Sequence, residues 1–222
     1  MTASATSSTL ADAERPAVAV DVVILTVREH HLEVLLIKRE HWPYEGMWAI
    51  PGCFVRPDES LEDAARRKLE EETSARDVYL EQLYTFGDPQ RDPRTRVITV
   101  VYYALLRPDQ LRLPGGADTV RLFEMYRRPD LAFDHAAILE YTLQRLRGKL
   151  EYTTIGFQLL AHEFTLSELQ DVYEAILNRP LDKRNFRKKL LLTRIVEPTP
   201  HVRMGGQHRP AQLYRFNPKA QT

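Results

Sequence analysis

The sequence predicts an α+β protein in two parts, residues 18–150 and 151–222, behind a flexible tail at 1–17. Three observations predict it. Over 18–150, β-branched runs alternate with two amphipathic helical stretches, the pattern of a sheet with helices packed on it. Over 151–222, two helical stretches separated by a short turn precede a pair of extended segments. Charge divides the chain at the same place. Residues 1–150 hold 20 Lys/Arg against 24 Asp/Glu, whereas 151–222 hold 11 against 7. The whole chain is neutral, which excludes a uniformly basic coat protein or an acidic tail protein.

The elements follow in order. Residues 1–17 are Ser, Thr and Ala without periodicity and read as a tail, with neither the basic start nor the apolar stretch of a signal peptide. Residues 18–27 and 32–38 read as two strands that can pair as a hairpin across the polar break at 28–31. Residues 47–55 form an extended stretch punctuated by Pro and Gly. A helix spans 60–73, capped by Ser60 with Asp63 in a capping-box-like position, and Leu61, Ala64, Ala65 and Leu69 form its apolar stripe. Strands at 78–86 and 97–106 flank a loop, 87–96, that carries three arginines. A second amphipathic helix covers 134–147, with Ile138, Leu139, Leu143 and Leu146 inward.

In the second part, Thr165 or Ser167 caps a helix that runs to Leu177, with Leu169, Val172, Tyr173 and Ile176 on one face. Residues 179–182 break it. A basic helix follows over 183–193, anchored by Phe186, Leu190 and Leu191. Ile195-Val196, a loop with Gly205-Gly206 and a strand at 212–216 complete the winged variant of helix-turn-helix. No apolar run approaches the ~20 residues of a membrane span. The single cysteine, Cys53, excludes an internal disulfide framework and a Cys-rich zinc site, and it suits a reducing compartment. The expected setting is the cytoplasm, with no membrane partner.

Residues 179–219 hold 11 Lys/Arg against only Asp182 and Glu197. A basic domain points to nucleic acid, although a solvated face reads equally well from charge alone. The helix itself is more specific. Lys183, Arg184, Asn185, Arg187 and Lys188 face outward once Phe186 and Leu190 are buried. Arg and Asn read base edges, and Lys grips phosphates. Thr165, at the start of the preceding helix, and His201, Arg203, His208 and Arg209, on the wing, add further candidate contacts. A winged helix that binds protein is the alternative.

Residues 51–75 read PGCFVRPDESLEDAARRKLEEETSA. They resemble the Nudix box, the loop-helix-loop of the Nudix hydrolases. Glu59, Arg67, Leu69, Glu71 and Glu72 stand at positions of its pattern. Three positions depart: Cys53 and Ser74 replace glycines, and Lys68 replaces a glutamate. Residues 68, 71 and 72 share one helix face. In the family, carboxylates there gather magnesium over a diphosphate. An ammonium on that face removes a hard oxygen ligand and repels the cation. Lys68 can pair with Glu72 instead, or contact a phosphate. The resemblance therefore implies an α/β/α Nudix-like sandwich over 18–150 whose hydrolysis is lost.

The loop GDPQRDPRTR (87–96) resembles that of Nudix domains that handle ADP-ribose. Arginine forks bind phosphates and sugar hydroxyls bidentately. Asp88, Arg91, Asp92, Arg94 and Arg96 are candidates for binding such a ligand, with Arg39 as a further diphosphate contact. Lys68, Glu71, Glu72 and His135 complete the candidate set. Alternatively, Asp88, Asp92 and Arg94 satisfy one another at a turn, and His135 is a packing residue. Residues 164–191 and 209–216, taken with the departed box and 131–135, resemble the Nudix-related transcriptional regulators of NAD metabolism, NrtR. The resemblance implies a homodimeric repressor of NAD biosynthesis or salvage genes. It would bind near-palindromic double-stranded operator DNA, be released by ADP-ribose or a related nucleotide, and require no cofactor. The rival expectations are an active ADP-ribose pyrophosphatase with an appended regulatory domain and a nucleotide-sensing adaptor.

Overall fold

The computed structural model describes residues 15–113, 118–204 and 210–221. Most of the expected tail lies outside the described residues, and the first strand, β1 (Ala17–Arg28), starts at its last position. β1 and β2 (His31–Lys38) form the expected hairpin, turned at Glu29 and His30, both at positive φ. They belong to a mixed sheet with β3 (Trp48–Ala49), β4 (Gly52–Phe54), β5 (Tyr79–Phe86), β6 (Val97–Leu105) and β7 (Val120–Glu124). β1 runs parallel to β6, and β4 pairs antiparallel with the start of β1, setting Asp21 opposite Gly52.

The two-residue period of a strand sorts β1 between two cores. Val20, Val22 and Ile24 pack with Ala64, Ala65 and Leu69 of α1 (Leu61–Thr73). Val23 and Leu25 pack on the opposite face with Ile138, Leu139, Leu143 and Leu146 of α2 (His135–Tyr152). One helix on each face makes the expected α/β/α sandwich, and Asp21 falls on the α2 side. Ser60 caps α1, its Oγ accepting the Asp63 N–H at 3.1 Å. Burying a residue such as Leu139 contributes about 1.5–3 kcal/mol.

Three elements differ from expectation. β7 lies where no strand is anticipated; its five residues are too few to carry a clear period, and pairing with β2 forms it. The extended stretch at 47–55 splits into β3 and β4 around Pro51, which has no N–H to give a ladder. α2 continues past 147 and across the expected boundary at 150, because Leu146 and Leu150 keep the apolar spacing and are buried.

Beyond α2 come α3 (Leu166–Leu177), α4 (Lys183–Thr193), β8 (Val196–Arg203) and β9 (Ala211–Phe216). The choice between two caps falls to Thr165, in a full capping box with Glu168. Phe164, Leu166, Leu169, Leu190 and Val196 form this unit's own core. β8 extends through Pro198 and Pro200, further than expected; a two-stranded ribbon has an open edge on each strand, where a missing N–H costs no ladder bond. The two parts are joined by more than a linker. Val172, Ala175 and Ile176 of α3 belong to the same buried cluster as Leu146 and Leu150 of α2. The Tyr126 hydroxyl donates to the Ile176 carbonyl at 2.5 Å, and Arg147 Nε donates to it at 3.3 Å. Among the described residues, no helix is long and apolar enough to cross a membrane.

Candidate functional site

A cleft opens where β1 and β4 meet the N-terminal end of α2, with about 660 Å³ of empty space counting its open mouth. Arg39, Arg91, Asp92, Arg94 and His135, drawn from separate stretches of sequence, all line it. Lys68, Glu71, Glu72, Asp88 and Arg96 do not.

Two arginines stand at the mouth. Arg39 follows β2 directly, and its Nε donates to the Pro43 carbonyl at 2.6 Å. Its guanidinium lies 4.7 Å from the centre of the Phe133 ring. Burial, and then the facing charge of Arg94, lowers its pKa. Two guanidinium groups that repel across a cleft favour an anion between them. Arg94 is held by Asp92, whose carboxylate accepts from Arg94 Nη2 at 2.7 Å and from its Nε at 3.0 Å. Burial opposes the Asp92 charge, but the hydrogen bonds from Arg94 outweigh it and keep the carboxyl below its usual range. The turn in which Asp92 and Arg94 satisfy each other is therefore also a wall of the cleft. Arg94 also lies 5.7 Å from the Phe54 ring and 5.9 Å from the Phe133 ring.

The floor is charged and buried. Arg91 reaches Asp134 with a bidentate fork, at 2.9 and 2.7 Å. His135 Nδ1 accepts the Ile50 N–H at 2.9 Å, which fixes the ring proton on Nε2. Burial pushes the His135 pKa down, so the ring stays neutral. His135 is a packing residue that also lines the cleft: Nδ1 ties α2 to the Pro51 loop, and the ring lines the floor.

The remaining loop candidates turn away from the cleft. Asp88 accepts the Gln90 N–H in a tight turn, and Arg96 donates to the Gly87 carbonyl. The surviving carboxylates of the box, Glu59 just ahead of α1 and Glu71 and Glu72 on it, are all paired with cations. Arg67 makes two bonds to Glu59, at 2.7 and 3.0 Å, and a third to Glu71 at 3.2 Å. The bonds from Arg67, then the Arg56 N–H, pull the Glu59 pKa down to about 2. Lys68 pairs with Glu72 and stands 3.6 Å from Glu71. This donor set does not fit a divalent cation, since each carboxylate is already engaged by a positive group. Among the described residues, no group of three or more His, Cys, Asp or Glu is placed to hold a metal ion. Burial raises the Cys53 pKa, which argues against a reactive thiol.

The second surface is α4. Leu190 is buried and the Phe186 ring meets that of Tyr173 edge-on at 5.2 Å, which turns the basic residues outward. Lys183, Arg184, Asn185 and Lys188 are among these basic-face positions, and Arg184 and Lys188 carry no partner among the described residues. Arg187 is only half-exposed and donates to Ser167 at 3.1 Å, tying α4 to α3. Thr165 departs from its expected place on the surface: it is buried and its hydroxyl is spent as a cap. Arg203 is exposed but pairs with Glu168, and His201 with Glu163. His208 and Arg209 lie outside the described residues.

Sequence reasoning missed Asp21, Phe54 and Phe133 as cleft residues. For Asp21 a signal exists: a lone carboxylate inside the β-branched run AVAVDVVIL.

Comparison with known proteins matches two family models to the chain. Residues 15–145 match the NUDIX domain model, and residues 156–216 match the model of the NrtR DNA-binding winged helix domain. The chain is 39% identical to the ADPR responsive transcriptional repressor NtrR of Acinetobacter baylyi, over 92% of this chain and 84% of that one. Over 125 residues it is 37% identical to an ADP-ribose pyrophosphatase of Methanocaldococcus jannaschii, covering 56% of this chain and 72% of that one. Among solved structures it is similar to Shewanella oneidensis NrtR complexed with a 27mer DNA, with a TM-score of 0.80 and 34% identity over 92% and 95% of the two chains. The NUDIX domain of the same NrtR complexed with ADP ribose matches at a TM-score of 0.54 and 33% identity, over 63% of this chain and 94% of that one. A Nudix sandwich continued into a winged helix along nearly the whole length of such relatives has one reading: this chain belongs to the NrtR family of transcriptional regulators.

Proposed function

We propose that this chain is a transcriptional repressor that binds operator DNA through α4 and the wing and is released by ADP-ribose in the Nudix cleft. The observation that carries the reading is α2. Its first residue lines the cleft and its later turns pack on α3. Its 18 residues span about 27 Å, so one rigid element joins ligand to DNA-binding unit. Ligand must favour the arrangement that cannot hold DNA, since equal affinity for both shifts nothing. Arg39 and Arg94 take the diphosphate, with Arg91, Asp92 and His135 beneath. Two chains act together as a homodimer on a near-palindromic site, because two-fold symmetry in the protein is matched by symmetry in the DNA. The genes controlled are those of NAD biosynthesis or salvage, and the setting is the cytoplasm.

The Nudix domain has lost hydrolysis in this reading, because its carboxylates are neutralised by Arg67 and Lys68. The rival is an active pyrophosphatase, favoured by the survival of Glu59, Glu71 and Glu72. Fluorescence anisotropy on labelled promoter DNA, with and without ADP-ribose, tests both when AMP is assayed in the same mixture. Salt-sensitive binding that ADP-ribose reverses without AMP release is expected; steady AMP release without DNA binding establishes the enzyme.

The variant Lys68→Glu sharpens the point. It places carboxylates at 68, 71 and 72 on one face. Magnesium should raise the melting temperature of this variant and leave the unaltered chain unmoved, as ligand binding to the folded state requires. An equal shift in both would show that Lys68 does not block the cation.

A further inference from the structure

Asp21 is a carboxylate in the wrong place for a structural residue. It sits in β1 between Val20 and Val22, both fully buried, and is itself 6% exposed. Its Oδ2 is buried without a hydrogen bond among the described residues. The nearest cation, Arg91 Nη2, is 3.5 Å away and already donates to Asp134 at 2.7 Å. His135 Nε2, which carries the ring proton, stops 4.0 Å from Asp21 Oδ1. A buried carboxylate oxygen without a hydrogen bond is costly, and a ligand hydroxyl can supply the missing donor. Asp21 lines the cleft floor, and Gly52 opposite it has no side chain to cover the carboxylate.

We propose that Asp21 is the acceptor for the vicinal hydroxyls of a ribose, and that this ribose is the terminal one of ADP-ribose, the sugar beyond the diphosphate. The inference rests on the effector reading above and deepens it. A carboxylate accepts from two adjacent hydroxyls with its two oxygens, which is the match a cis-diol offers. The order of groups along the cleft sets which ribose. Arg39 and Arg94 stand toward the mouth, where Phe54, 49% exposed beside Arg94, offers an aromatic surface to a base. Asp21 and His135 are the buried groups of the floor. A ligand with its diphosphate between the arginines and its base outward delivers the sugar beyond the diphosphate to Asp21. Asp21 is then a specificity-determining residue: it separates ADP-ribose from ADP.

The test is calorimetric titration of the full chain with ADP-ribose and with ADP, in the unaltered protein and in Asp21→Asn. The unaltered chain should prefer ADP-ribose over ADP by at least about tenfold. Asp21→Asn should weaken ADP-ribose by about 10- to 100-fold, as the loss of hydrogen bonds to a charged group does, and leave ADP within about twofold. Where Asp21→Asn fails to fold, Asp21→Ser, which is smaller and cannot crowd Gly52, carries the same comparison. Equal weakening of both ligands would overturn the assignment to the terminal ribose, and unchanged ADP-ribose binding would overturn the subsite while leaving the effector reading intact. Failure of the unaltered chain to bind ADP-ribose at all would overturn the effector reading and the subsite with it.

Discussion

Replacing Arg184 and Lys188 together by Ala should abolish operator binding, by at least about 100-fold at moderate salt, and leave ADP-ribose binding unchanged. Both side chains lie on the outer face of α4, and neither has an ion pair or hydrogen bond among the described residues. Contacts to phosphates release counterions, so each one lost should lower the slope of log K against log salt by about 0.9. Two lost contacts predict a slope shallower by nearly two. Arg203→Ala is the contrast. Its guanidinium is engaged by Glu168 and by the Glu163 carbonyl, so it should reduce affinity far less. Arg187→Ala belongs between them, since its side chain also ties α4 to Ser167. Anisotropy titrations at several salt concentrations measure all three. Equal loss from Arg203→Ala and from the α4 pair would move the DNA contact from the helix to the wing.

That ranking shows what the sequence could and could not supply. Local rules placed α4, because Phe186 and Leu190 stand four apart behind the break at 179–182. They placed α1 through Ser60 and the spacing of Ala64, Ala65 and Leu69, and they placed the β1–β2 hairpin. What they could not supply is which charges are already spent. Arg203 meets Glu168 across 35 residues of chain, and Arg91 meets Asp134 across 43. Both partners are set by tertiary folding, which sequence spacing does not encode. Thr165 illustrates the opposite error: one hydroxyl can serve as a cap or face a phosphate, and here the capping box claims it. β7 and the last turn of α2 escaped because packing, more than local propensity, forms them.

Gly52→Ala is the second substitution with a large expected effect, and its cause is the same carboxylate. A Cβ at position 52 would stand 2.1 Å from Asp21 Oδ1 and 3.1 Å from the Val20 carbonyl. For the methyl to fit, the Asp21 side chain must shift within the cleft floor, against Arg91 and His135. Overpacking of this kind costs about 1–3 kcal/mol. It should also displace the group that lines the cleft, so ADP-ribose affinity should fall along with stability. The two effects separate in a double-mutant cycle with Asp21→Ser. If the clash is with the carboxylate, Gly52→Ala should cost at least about 1 kcal/mol less in the Asp21→Ser variant than in the unaltered chain. Denaturant unfolding reads the difference directly. An undiminished cost in the Asp21→Ser variant would assign the strain to the Val20 carbonyl, and the glycine would then serve the β1–β4 pairing alone. A diminished cost means that the Pro-Gly turn keeps its glycine here to leave room for Asp21, so the residue just ahead of the departed motif position at Cys53 serves the floor of the cleft.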